Sequence, residues 1–186
     1  MKIDNVEIYG IKESIIASGY PMETNIEDCY VTSSDVDRAN KLADTPPGTG
    51  HNCFLKGIVV QADITAPQYW WLQFGRYHFA DIVSSQSKMH RITRMDIDKQ
   101  CSDYVFSTAK ELIKELIQRY ENGQILFDEL IANVPMGLEL AARITTNYLQ
   151  LKTIHLQRRT HKLQEWQKFC GWIETLEYSE WITDGS

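Results

Sequence analysis

Apolar Ile3, Val6 and Ile8 stand among polar neighbours from Lys2 to Tyr9, and Gly10 closes the run, which predicts a short strand. The stretch from there to Met22 leaves helix and strand open. Between Thr32 and Asn52 the chain is rich in Ser, Asp, Thr, Pro and Gly; a helix over 35–42 is followed by TPPGTGH, which has the chemistry of an ordered loop. FLKGIVVQADIT is rich in β-branched residues with partial alternation and predicts a strand over 54–65. Ala66-Pro67 then opens a helix carrying Tyr69, Trp70, Leu72 and Phe74, which Gly75 ends or bends.

The clearest helix runs over 102–120, where Val105, Phe106, Ala109, Leu112, Ile113, Leu116 and Ile117 recur at three- and four-residue spacing opposite a charged face. Asn122-Gly123 stops it, and a short helix over 124–132 follows. After Met136 the pattern predicts a helical 138–143, a break at ITTN, and helices over 148–159 and 161–176. Strands fall only in the first half. The fold class is therefore α+β, a small sheet with packed helices and a helix-rich C-terminal half.

The 186 residues predict one domain over 1–186, and 43% hydrophobic with 24% charged residues excludes a disordered or fibrous chain. A net charge of -6 argues against a nucleic-acid polymer as partner, because such binders carry a basic excess. Cys29, Cys53, Cys101 and Cys170 are far apart and show neither a disulfide framework nor zinc spacing. No stretch is apolar for long enough to cross a bilayer, and no leader precedes the first strand, so a cytoplasmic protein without a membrane partner is expected. The aromatic residues are numerous enough to stack on a flat ligand, although core and interface filling accounts for most of them.

Three constellations could carry chemistry. Gly50-His51 precedes a strand, where glycine lets the backbone approach a ligand and histidine can donate to an anion; taken alone, such a histidine is more often a loop cap. Gln73, Arg76, Tyr77 and His78 lead into SSQSKMHR, whose hydroxyls, amide, Lys88, His90 and Arg91 suit a phosphate or a base edge, or equally a solvated loop. Arg143, His155, Arg158, Arg159, His161 and Lys162 gather positive charge in an acidic chain. Either a ligand anion or carboxylates such as Glu139 and Glu165 would relieve it. No metal is expected, since His155 and His161 lack a carboxylate at ligand spacing. A serine-hydrolase elbow is absent.

The order of these pieces resembles the flavin-dependent thymidylate synthases. TGHNCFLKGIVVQADITAPQYWWLQFGRYHFADIVSSQSKMHRI is similar to that family's central segment: a Gly-His loop before a strand, a helix bearing a Gln, then an Arg-His-Arg motif with a Ser and an Arg downstream. VPMGLELAARITTNYLQLKTIHLQRRTHKLQEW is similar to its second signature, an Ala-Arg-Ile on a helix and a Leu-x-Arg followed by a Gln near a Trp, here Arg143, Arg158, Gln164 and Trp166. The resemblance implies a homotetramer with FAD at subunit interfaces. It implies transfer of a one-carbon unit from methylenetetrahydrofolate to a deoxypyrimidine monophosphate, dUMP first, with NADPH reducing the flavin and no cysteine nucleophile. The family would then be represented by a diverged member, phage- or prophage-like; a non-catalytic nucleotide- or flavin-binding homologue is the alternative.

Carried over by position, Gln73, Gln86, Ser87, Lys88, Arg143 and Arg158 would hold the nucleotide, Arg158 would be the catalytic cation, and His51, Arg76 and His78 would lie along the FAD. The chain departs from the motif in that Arg-His-Arg reads Arg76-Tyr77-His78. One register puts Gln86 and Lys88 at the motif's Ser and Arg; a shift of one residue puts Ser87 and Met89 there. Substituting Tyr77→His with His78→Arg would restore the triplet and, on this reading, raise the rate.

Overall fold

A computed structural model of the chain describes residues 1–26, 30–46 and 48–183. Its sheet is antiparallel, with strands β1 (Lys2–Tyr9), β2 (Val59–Pro67), β3 (Asp81–Ser85) and β4 (Glu139–Asn147) in the order β1-β2-β4-β3. On β2 the side chains of Val60, Ala62, Ile64 and Ala66 are buried, while Gln61, Asp63 and Thr65 between them are only half-covered. On β4 the buried set is Ala142, Ile144 and Thr146. The sheet thus has one dry face and one polar face, as an antiparallel sheet with helices on one side should.

The dry face belongs to a core that holds Trp70 and Phe74 of α3 (Gln68–Phe74) and Tyr148, Leu151 and Ile154 of α8 (Tyr148–Arg158). The same core holds Trp166 and Phe169 of α9 (Gln164–Ile173) and Trp181 of α10 (Glu180–Thr183). On the N-terminal side stand α1 (Ile11–Ala17) and α2 (Ser33–Ala43). Thr32 and Asp35 close a capping box at the start of α2, the Thr32 backbone N–H donating to Asp35 Oδ2 at 2.8 Å. Gly10 turns β1 into α1 at φ 80°, and a Cβ there would meet the Gly57 carbonyl oxygen at 2.5 Å. A second apolar cluster joins Ile92, Ile97 of α5 (Ile97–Gln100), Ile113 and Leu116 of α6 (Ser107–Glu121), and Leu130 of α7 (Phe127–Ala132).

Several expectations hold with small shifts: β1, α2, α3, α7, α8 and α9 lie where the pattern puts them. The 54–65 strand begins only at Val59, because Cys53–Gly57 winds as a 3₁₀ turn. The long helix starts at Ser107. Ahead of it Cys101 bridges Leu138, and the Ser102 N–H donates to the Gly137 carbonyl at 2.9 Å, so that backbone is committed elsewhere.

The helical reading of 138–143 and the break at ITTN are corrected. From Glu139 onward both belong to β4, a central strand bonded to β2 along its whole length and to β3 on its other edge, and Leu138 just ahead of it bridges Cys101. Strands are therefore not confined to the first half. Leu, Ala and Glu favour a helix in isolation by a few tenths of a kcal/mol per residue, and ladders on both sides override that preference.

Two bulges shape the sheet. On β1 the register slips between Asp4 and Glu7, where Asn5 takes φ 49°. On β3 it slips between Ile82 and Ser84, so Val83 is an extra residue.

Candidate functional site

Gln73 sits in the last turn of α3, which Gly75 caps, so Arg76, Tyr77 and His78 follow on the turn that leaves the helix. Across from it α8 rises directly out of β4, capped where the Asn147 side chain accepts from the Gln150 N–H at 2.9 Å, and ends at Arg158. Wholly buried Trp166 joins the two: its indole N–H donates to Gln73 Oε1 at 2.8 Å. The Arg158 guanidinium carbon lies 4.9 Å from the Trp166 ring centre and 5.6 Å from that of Tyr77. Arg158 Nε donates to the Tyr77 hydroxyl at 2.6 Å, which in turn donates to Gln157 Oε1 at 3.1 Å. No carboxylate pairs with Arg158 among the described residues; it is held by ring faces and a phenol, which leaves its two terminal nitrogens as donors.

Around this corner Gln164 accepts from the Tyr104 hydroxyl at 2.7 Å, and His161 accepts from the Leu163 N–H at 3.1 Å. Burial, and after it the charges of Arg158 and Lys162, holds His161 below its ordinary pKa. His155 turns into the core and meets Glu174 at 3.0 Å, a carboxylate partner that lies across α8 and α9 rather than at a local spacing. Glu165 accepts from the Tyr69 hydroxyl at 2.5 Å and Glu139 faces the N-terminal ammonium at 3.4 Å, so neither is the partner of Arg143 or Arg158.

Arg143 projects from the polar face of the sheet. Its Nη1 donates to the Asn5 carbonyl at 2.9 Å and to Asp63 Oδ1 at 3.2 Å, and its Nη2 to Gln61 Oε1 at 3.3 Å. The β1 bulge frees that carbonyl from the ladder. Asp63 is held below the usual carboxylate range by the Asn5 amide first and Arg143 second. A shallow depression of about 320 Å³ runs from here past Asp4, Thr65 and Ala141 to Ser84, Ser85 and Gln86.

Gln86 and Ser85 also line a second cavity of about 570 Å³, with Ser87, His90, Arg91, Arg94, Met95, Asp96 and Gln100 on its wall. Gln86 continues the β3 ladder, its N–H donating to the Ala141 carbonyl at 2.8 Å, while its Oε1 accepts from the Ala141 N–H at 2.9 Å and from Gln100 at 3.2 Å. Ser87 Oγ lies 2.8 Å from His90 Nδ1. Lys88, the first residue of α4 (Lys88–Arg91), donates instead to Gln68 Oε1 at 2.7 Å. Gln73, Arg158, His51, Arg76 and His78 are not on this wall.

No family model matches the chain, and no curated protein does. Solved structures do. A flavin-dependent thymidylate synthase, ThyX of Helicobacter pylori, crystallised with FAD and dUMP, superposes with a TM-score of 0.78 over 98% of this chain and 97% of that one, at 11% identity. A UMP/dUMP methylase, PolB of Streptomyces cacaoi, bound with 5-Br dUMP, superposes with a TM-score of 0.64 over 94% and 89%, at 15% identity. The chain has the flavin-dependent thymidylate synthase fold.

Within that fold the remaining predicted residues lie on the surface. His51 follows Gly50, whose φ is 82°, in an exposed loop; Arg76 and His78 are exposed on the turn after α3. Among the described residues none of their side chains makes a hydrogen bond or ion pair, so two imidazoles and a guanidinium are unspent, a donor set that fits a dinucleotide's phosphates. Phe79, which no sequence motif marks, stands next to them at φ 62° and is 71% exposed. It edges an apolar recess of about 520 Å³ with Leu149, Asn147, Gln150, Thr153 and Lys56. A bulky residue at positive φ costs about 1–3 kcal/mol, and such strain gathers at ligand sites. The sign in the sequence was only an aromatic residue next to the motif triplet.

Two of the thiols are buried and poor nucleophiles. Burial pushes Cys101 up and Cys170 up to about 12, so both stay protonated at neutral pH. Cys53 is exposed, and Cys29 lies outside the described residues.

Proposed function

We propose that the chain binds FAD and a deoxypyrimidine monophosphate, dUMP first, and transfers a one-carbon unit from methylenetetrahydrofolate to it, with NADPH as reductant. One observation carries the reading: a fold shared along nearly the whole of both chains with a protein crystallised with FAD and dUMP. The Gln73–Trp166–Arg158 corner supports it, because it joins residues 93 positions apart that the family resemblance had selected separately.

Arg158 orients and stabilises. Its free guanidinium nitrogens suit a pyrimidine carbonyl on which negative charge grows during attack, and the ring faces around it exclude water and strengthen that interaction. Gln73 keeps its NH₂ as a donor, since its oxygen is taken by Trp166. His51, Arg76 and His78 hold the FAD phosphates, and Phe79 offers a flat apolar surface beside them. FAD, when bound and reduced by NADPH, supplies the electrons that the one-carbon transfer consumes. The candidate groups lie in separate surface regions of one chain, as expected if neighbouring subunits of a homotetramer complete each site.

Titration with FAD, followed by absorbance, tests the reading together with light scattering. A yellow tetramer that consumes NADPH with dUMP and methylenetetrahydrofolate is expected; a monomer without flavin uptake sinks it. A second reading, a binding homologue without turnover, is favoured by one observation: Arg143 already has a carboxylate partner in Asp63. Flavin and nucleotide binding without NADPH consumption would select it.

A further inference from the structure

We infer that the phosphate group of the nucleotide is held by Arg91 and Arg94 in the cavity beside β3 and α5, and that Lys88 is not its cation. This rests on the nucleotide-binding reading above and names the residues that carry the charge. Lys88 stands at the cationic position of the motif, but its ammonium is bonded to Gln68 at 2.7 Å and it is absent from the cavity wall. After it the chain makes the single turn of α4 and a 3₁₀ turn over Ile92–Arg94, whose Ile92 is buried at 1% exposure in the second apolar cluster. That anchor fixes the turn. Arg91 and Arg94, three residues apart, both reach the cavity wall.

Neither arginine is paired with a carboxylate among the described residues. The one carboxylate on the wall, Asp96, is engaged elsewhere. Its Oδ1 accepts from the Lys99 N–H at 3.3 Å, capping α5, and its Oδ2 lies 3.1 Å from Lys99 Nζ. In a chain of net charge -6 the cavity therefore keeps two guanidinium groups that no carboxylate pairs with among the described residues. Two like charges on neighbouring turns repel, and a dianionic phosphate monoester relieves both. The rest of the wall suits the same ligand: Ser85 and Ser87 offer hydroxyls, and Gln86, whose oxygen already accepts from Ala141 and Gln100, has only its NH₂ to offer.

Calorimetric titration of the full chain with dUMP, deoxyuridine, FAD and pyrophosphate tests this, comparing the unaltered protein with Arg91→Ala/Arg94→Ala. Arg119→Ala, which removes a cation paired with Glu115 on α6, controls for net charge. The expected result is dUMP bound more tightly than deoxyuridine, with dUMP affinity at least about tenfold lower in the double variant and unchanged in the control. Equal dUMP affinity in the double and unaltered proteins overturns the inference while leaving the nucleotide reading intact. Binding of pyrophosphate that the double variant loses, with no dUMP binding, keeps the anion site and overturns the nucleotide assignment; binding of no probe overturns both. Should the double variant melt early, Arg94→Gln, at an exposed side chain, is put through the same titration with the same two outcomes.

Discussion

The polar face of the sheet and the corner of α3, α8 and α9 each present an arginine that the sequence marks as a ligand group, and they hold it by opposite means. Arg143 is neutralised by Asp63 and tied to β1 through the Asn5 carbonyl, so it joins three strands before any ligand arrives. Arg158 rests on the rings of Trp166 and Tyr77 with a phenol oxygen at Nε. An aromatic cradle fixes a guanidinium without spending its charge, whereas a carboxylate partner fixes it by spending that charge. The first arrangement is poised for an anion or a developing oxyanion. The second must exchange one partner for another.

The largest effect that would break this contrast is at Trp166. Trp166→Ala opens a cavity in the aromatic core and should cost about 3–5 kcal/mol in urea unfolding, releasing Gln73 and Arg158 together. A loss under 1 kcal/mol, with nucleotide affinity intact, would mean the corner is not a built cradle. Next come the arginines. Arg158→Ala should weaken dUMP binding at least about tenfold, a loss of roughly 1.5–3 kcal/mol, while the melting temperature hardly moves.

Arg143→Ala should lower both, because three hydrogen bonds on β1 and β2 go with it. Its stability loss should shrink on acidification: Asp63 is depressed in the fold, so its contribution is present above the usual carboxylate pKa and disappears as pH falls through the lower folded value. If Arg143→Ala changes affinity alone, Asp63 is not a lock.

A smaller effect separates phenol from motif. Tyr77→Phe removes one hydrogen bond to a charged group and should weaken nucleotide binding a few-fold, with the ring contact retained. The pair Tyr77→His, His78→Arg, which the triplet alone would recommend, replaces the phenol beneath Arg158 with a smaller imidazole and should lower turnover rather than raise it. A faster enzyme would show that Arg158 needs no support from Tyr77.

The smallest effect is at His161. Because its folded pKa is lowered, the neutral form is favoured in the native state; its contribution is complete above the ordinary value of 6.5 and is lost as pH falls through the folded pKa. Melting curves between pH 7 and 5 should show a slight decline that His161→Gln removes. Identical slopes for the two proteins would place the titration elsewhere.

Local pattern carried α2, α3 and α8, because each has a cap, a proline or an apolar stripe written within a dozen residues, whereas α1 stayed ambiguous and the single turns α4, α5 and α10 gave no periodic signal. β4 was hidden, since Glu139 to Arg143 reads as helix and only its two neighbouring strands make it extended. β3 was hidden for another reason: it is a five-residue edge strand, exposed throughout, with adjacent rather than alternating Ile82 and Val83. Of the residues picked by their order in the chain, Gln73 and Arg158 meet at Trp166, while Arg143 stands apart on the sheet. The grip of Tyr77 on Arg158 joins residues 81 apart, and Arg94 reaches the cavity through a turn fixed by a buried Ile92; no short-range signal encodes either.

The extra residue at Val83 gives the chain a means of drift that spares its interior. Among the described residues β3 bonds only to β4, so gaining or losing one residue there leaves the buried ladder between β2 and β4 untouched. What moves is everything downstream as far as the anchor at Ile92: sliding by one position turns each side chain to the opposite face. Gln86 and Ser87, adjacent on this stretch, are the two residues that such a slide would exchange between faces. The length of an edge strand thus decides which side chains face the cavity, while the buried sheet stays as it is.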